Sequence, residues 1–386
     1  MDPFNSRFIL KEKRWLWIDY DKGISIILVG YGHCMDILSD HGLSLSSYPF
    51  FNYINVFLYG FRMPLFFIVS GLLVARSLNK KGLDGYVGDR TNNILYPLMI
   101  WGFVEITLQL LASKVTHNTV SSMNYLNLII NPRMTGHFWY LNALFCIGVI
   151  YAFLRTKVKL KSYAQLALGV VLYAASAYIH IHQLYAGFLT DVFEYYIFFA
   201  LGDVLSKVML NETNIKRFST WKTLFPLLAV FAVIQYFFTR INLRPSIDGI
   251  SYVEHQMPLF FLIEALVGCT LSVNISFLLQ RYKKFTFLRI VGYHSLFVYC
   301  MQIIVMTLAR TVLVSALHIT YIPLLIPLIW SSGVIFPIFF YNFCLRFGMW
   351  WLYTFRKPGK QTEYLRSHNI FSFKRNWANS LDEVQS

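Results

Sequence analysis

Apolar runs of about twenty residues recur along this 386-residue chain, each the length that carries a helix across ~30 Å of hydrocarbon. The recurrence excludes most soluble architectures, whose helices pair an apolar stripe with a polar face. Charged residues make up only 14% of the chain, against about 25% in a soluble domain. Ten runs can be drawn, at roughly 15 to 35, 54 to 76, 93 to 113, 137 to 154, 163 to 180, 189 to 208, 221 to 239, 257 to 279, 287 to 309 and 321 to 345. The sequence therefore predicts an all-α polytopic integral membrane protein of about ten transmembrane helices.

The net charge of +15 suggests a nucleic-acid partner until the basic residues are placed. They gather in alternate loops, among them Arg76, Lys80, Lys81 and Arg90, then Arg155 to Lys161, then Arg281 to Arg289, while the intervening loops hold few. That alternation follows the positive-inside rule and predicts both termini in the cytoplasm, with membrane lipids rather than nucleic acid as the surroundings. Asp19, Asp21 and Lys22 interrupt the first run and no small-residue cleavage site follows Cys34, so it reads as a retained span and not a signal peptide. Residues 1–355 form one membrane domain, and 356–386 a basic cytoplasmic tail suited to an anionic leaflet. Cys34, Cys146, Cys269, Cys300 and Cys344 lie in or beside apolar runs with no zinc-ligand spacing, so no metal is expected.

Ionisable residues inside hydrocarbon are expensive and mark sites or pathways. Lys22 and His33 are 11 positions apart, very nearly three helical turns, which puts both side chains on one face about 16 Å apart along the axis. Asp36, three residues beyond His33, is placed to orient the imidazole, and Gly30 and Gly32 leave room beside it. A His held by a carboxylate suits general-base work near neutral pH.

In the second run Arg62 lies two residues before Pro64, which lacks a backbone donor and can open the helix, leaving a carbonyl for the guanidinium to satisfy. Arg90, beside Asn92 and Asn93, offers a fork of donors to a phosphate-bearing ligand on the cytoplasmic side, backed by Lys22. Glu105 and Glu264 are buried carboxylates that must be protonated, paired or facing water, Glu264 being the stronger candidate for function. The stretch HFWYLNALF from His137 fits an aromatic belt at the outer edge of the fourth span.

The segments WIDYDKGISIILVGYGH, FRMPLFFIVSG, Arg90 to Pro97, HFWYLNALF and LRIVGYHSLFVYCMQ, in this order along nearly the whole chain, resemble the membrane acyltransferase-3 family, particularly its fucose 4-O-acetylase-like branch. A basic residue and a His separated by ten positions are that family's most specific mark, met by Lys22 and His33. The late motif departs from the pattern, with Gln302 three residues after Tyr299 where a His is common.

The resemblance implies a ten-span O-acetyltransferase that draws acetyl-CoA from the cytoplasm and acetylates a hydroxyl of a cell-surface glycan or its lipid-linked precursor. It implies His33 as the catalytic residue, acting as base or acyl carrier. Lys22 and Arg90 would help hold the donor, and Arg62 would belong to the polar core; the residues themselves add Asn93 beside Arg90 as a donor-binding candidate and Asp36 and Glu264 as catalytic candidates. A multi-pass protein of the bacterial cytoplasmic membrane follows. The rival reading is a transporter or flippase for a glycan-related substrate, in which the same residues line a pathway.

Overall fold

The computed structural model describes residues 4–11, 15–40, 45–116, 121–245 and 250–357. Nearly all of the expected tail 356–386 lies outside them. Among the described residues the fold is entirely helical, with no strand. Eight helices among the described residues are long and apolar enough to cross a membrane: Pro49–Leu72, Val74–Ser113, Pro132–Thr156, Ser162–Ile181, Trp221–Asn242, Pro258–Tyr282, Ser295–Ala316 and Ile322–Arg346. The chain is a multi-pass membrane protein.

Two further helices, Leu16–Asp40 and Phe188–Met209, match the first and sixth expected runs in length but carry several ionisable residues each. Their positions explain how they tolerate them. Leu16–Asp40 packs against Arg62–Leu72, Pro258–Tyr282, Phe287–Tyr293, Ser295–Arg310 and Ile322–Arg346, while Phe188–Met209 is enclosed by Arg62–Leu72, Trp139–Thr156 and Ser162–Ile181. Asp21 is fully buried, its carboxylate accepting hydrogen bonds from Ser272 at 2.7 Å and Ser276 at 3.2 Å. Asp203 is buried with the Tyr151 hydroxyl donating at 2.7 Å and Arg155 beside it. These two polar helices are thus inside, while the apolar Ser162–Ile181 and Trp221–Asn242 are the least buried of the spanning helices, as hydrocarbon solvation favours.

The stretch between the second and third expected runs differs from its reading as a loop. Residues Val74–Arg90 are helical, with Gly82 in the left-handed region at φ 68°, and the helix continues through a π turn at Thr91–Leu95 into Tyr96–Thr116. Glycine pays no Cβ penalty there, so the chain bends without ending.

The interior helices meet through glycines. A Cβ on Gly71 would stand 1.9 Å from the Phe199 carbonyl oxygen, and one on Gly202 would stand 2.1 Å from that of Ile68. Backbones this close are what small residues permit between membrane helices. Gly202→Val is therefore expected to destabilise the protein by at least the ~1–3 kcal/mol typical of overpacking, read as a lowered unfolding temperature in detergent. Gly88→Ala, whose nearest neighbour is an Arg356 nitrogen at 3.8 Å, should leave that temperature unchanged.

Candidate active site

Two cavities lie back to back along the Leu16–Asp40 helix. One, of about 320 Å³, is bordered by Lys22, Arg90 and Asn93 together with Ser70, Tyr140 and Tyr299. The other, of about 140 Å³, is bordered by His33, Asp36, Arg62, His137, Trp139 and, again, Tyr299. The helix runs unbroken through Lys22 and His33, so the shared face expected from their spacing serves both cavities.

In the larger cavity the three residues expected to hold a donor come together from two separate segments. The Arg90 guanidinium lies over the Tyr86 ring at 5.0 Å and its Nε donates to the Tyr86 hydroxyl at 2.9 Å. The π turn begins directly after Arg90 and turns Asn93 to the same cavity. One-turn π insertions of this kind are frequent at functional sites. Pro97, with no N–H to give, follows the turn.

The smaller cavity is built on a broken helix. The chain is helical over Pro49–Phe57, turns at 58–61 and resumes as Arg62–Leu72. The buried Arg62 satisfies carbonyls freed at the break, donating from Nε to Leu58 O at 2.6 Å and from Nη2 to Asn55 O at 2.6 Å and Asn55 Oδ1 at 3.0 Å. Its remaining amino group, Nη1, has no hydrogen-bond partner among the described residues and lies against Gly32, where an added Cβ would stand 2.5 Å away. A guanidinium nitrogen is thereby held one residue from His33. Asp36 Oδ2 is 3.7 Å from His33 Nδ1, in ion-pair range but beyond a hydrogen bond.

Glu264 takes a different place. It is fully buried, accepts from Gln235 Nε2 at 2.7 Å and is wedged under Gly60, where a Cβ would fall 1.9 Å from its Oε2. It supports the break from behind and borders neither cavity. Gln302 is also buried, beside Gly30 and away from both linings.

His137 is the site residue that the sequence reading left in an aromatic belt. Its ring meets that of His33 edge-to-face at 5.6 Å and that of Tyr299 at 5.0 Å, and its carbonyl accepts the Tyr299 hydroxyl. A signal for it was present: Glu105, deep in its span, needed a partner, and Glu105 Oε1 lies 3.8 Å from His137 Nδ1.

At the smaller cavity, Arg133 stacks on Trp139 at 4.4 Å and donates to Asp191 at 2.6 Å. Glu254 accepts from Tyr59 at 2.5 Å and Tyr195 at 2.6 Å. No group of His, Cys, Asp and Glu among the described residues could hold a metal ion.

The chain is 28% identical over 220 residues to nodulation protein NolL of Sinorhizobium fredii, covering 54% of this chain and 56% of that protein. To nodulation protein NolL of Mesorhizobium japonicum it is 32% identical over 148 residues, 38% of this chain and 37% of the relative. The chain thus spans about half or less of these relatives' length. No solved structure matches it. The model of the acyltransferase domain matches residues 15–342, a stretch that takes in both cavities, and on that extent the chain belongs to the acyltransferase-3 family.

Proposed function

We propose that the chain is an integral-membrane O-acetyltransferase of the bacterial cytoplasmic membrane, moving an acetyl group from cytoplasmic acetyl-CoA to a hydroxyl of a cell-surface glycan or its lipid-linked precursor. The observation that carries this reading is the pair of cavities that share Tyr299, with cations around one and imidazole and guanidinium around the other. In this reading Leu16–Asp40 and Phe188–Met209 also cross the membrane, making ten spans with both termini cytoplasmic.

Lys22, Arg90 and Asn93 hold the phosphates of the donor at the cytoplasmic mouth, where charge-assisted bonds from a guanidinium fork are strong. A pantetheine arm is on the order of 15 to 20 Å long at backbone-like bond lengths, comparable with the ~16 Å rise from Lys22 to His33. The thioester therefore reaches the wall between the cavities. There His33 takes the proton of the acceptor hydroxyl as it attacks, and Asp36 orients the ring. Arg62 Nη1 meets the oxyanion of the tetrahedral intermediate. Transfer through an acetyl-His33 intermediate uses the same groups in two steps. The Trp139 ring and the Arg133 guanidinium suit a sugar ring, which pairs apolar faces with hydroxyls.

Deleting the chain and measuring O-acetyl groups on each surface glycan tests the reading, which expects one glycan to lose them; unchanged acetylation of all would refute it. Lys22→Ala and Arg90→Ala should each raise KM for acetyl-CoA about ten- to a hundred-fold at low salt, the worth of one charge-assisted bond, with kcat little changed. Donor titrations of the purified variants check this.

A further inference from the structure

Moving an acetyl group from sulfur to oxygen sets a proton problem that follows from the proposed function and rests on it. The hydroxyl loses a proton in the outer cavity, and the thiol released on the donor side is protonated near neutral pH, since alkyl thiols have a pKa of about 8.5. The proton must therefore cross the same wall as the acetyl group, in the opposite direction, or be exchanged with water on both sides. His33 borders the outer cavity and not the donor cavity, as does His137, while Tyr299 borders both.

Beside His33, in the wall of the same cavity, the structure places a second titratable pair. His137 is 3% exposed, and neither of its ring nitrogens has a hydrogen-bond partner among the described residues. Glu105 is 4% exposed; its Oε1 accepts from Gln109 Nε2 at 3.2 Å and its Oε2 has no hydrogen-bond partner among the described residues. Burying a carboxyl and an imidazole with unused hydrogen-bonding capacity is costly, and an apolar pair would fill the space more cheaply. The groups facing His137 are His33 at 5.6 Å between ring centroids, Glu105 at 3.8 Å and Tyr299, the side chain common to both cavities.

We propose that His137, charge-balanced by Glu105, is a second catalytic residue that protonates the departing sulfur and is reprotonated by His33. Before the reaction the His137–Glu105 pair is neutral overall and holds one dissociable proton between them, and His33 is neutral. The acceptor oxygen attacks the thioester carbon as its proton passes to His33. The C–S bond then breaks, its electron pair stays on sulfur, and His137 gives sulfur its proton. His33 finally returns the acceptor's proton to His137. The products are the ester and the free thiol, and neither side of the membrane gains or loses a proton.

The test uses the full chain in proteoliposomes, with the Lys22 side outward. Acetyl-CoA is added outside, and a pH dye is enclosed with a glycan extract from cells lacking the chain. The wild type should transfer acetyl without acidifying the lumen. His137→Gln should lower kcat about 100-fold, the scale of lost acid–base catalysis, with KM for acetyl-CoA unchanged, and each residual transfer should leave one proton in the lumen. Glu105→Gln, which keeps the shape and so guards against misfolding, should lower kcat about ten-fold with the same unchanged KM.

Lumenal acidification by the wild type, an unchanged kcat in both variants, or a lowered kcat with no acidification in the His137 variant would overturn the relay. Full activity of His33→Ala would instead refute the reading on which it rests.

Discussion

His33→Ala is expected to lower acetyl transfer by about 10²- to 10⁴-fold, the range that a positioned base contributes, while the protein still inserts and binds acetyl-CoA normally. The separation follows from the geometry, because His33 lies in the smaller cavity and the cations Lys22 and Arg90 border the larger one. Its 21% exposed side chain is not a packing element of the core, so truncation should leave the thermal unfolding temperature near that of the parent. Single-turnover rates with saturating labelled acetyl-CoA, together with equilibrium donor binding, check both halves. A variant that inserts and retains the parent rate would remove His33 from the mechanism.

The second large effect belongs to Arg62. Loss of one oxyanion donor typically costs 10²- to 10³-fold in kcat, and Arg62→Lys should fall in that range because a lysine cannot reproduce the fork. Arg62→Ala is less informative, since it also strands the Leu58 and Asn55 carbonyls that the guanidinium satisfies. Gly32→Ala offers a cleaner perturbation. Its Cβ would stand 2.5 Å from Nη1, so the planar guanidinium must shift as a unit, which moves that nitrogen but removes no donor to the Leu58 and Asn55 carbonyls. It should reduce kcat with little change in KM or in stability. Equal kcat in Gly32→Ala and the parent would show that Nη1 is not aimed at the reaction.

Much of this site was legible in the sequence because it is local. Lys22 and His33 sit on one unbroken helix, where spacing alone fixes relative direction. Arg62 was marked by Pro64, and its carbonyl partners at Leu58 and Asn55 lie within one or two turns. Arg90 and Asn93 were marked by polar residues at a span end, although the π turn that directs Asn93 to the cavity leaves no composition signal of its own.

What the sequence concealed depends on tertiary placement. His137 acquires its meaning from His33, Glu105 and Tyr299, and Tyr299 is 162 positions away. An aromatic neighbourhood gave it a cheaper explanation. Glu264 sits on a helix apolar on nearly every side, so no periodicity reveals which way it points; it turned to Gln235 and Gly60. The helical course of Val74–Arg90 was hidden by its polar composition, which reads as a loop when tertiary support is not considered.

The central claim is that donor and acceptor occupy opposite sides of one wall, and sidedness of transfer tests it most directly. Membrane vesicles of both orientations, each carrying the chain and its native glycan, would receive labelled acetyl-CoA from outside only. The account predicts O-acetyl label on the glycan in inside-out vesicles, where the Lys22 and Arg90 mouth faces the added donor, and none in sealed right-side-out vesicles. Equal labelling in the two orientations, or labelling only in right-side-out vesicles, would contradict it.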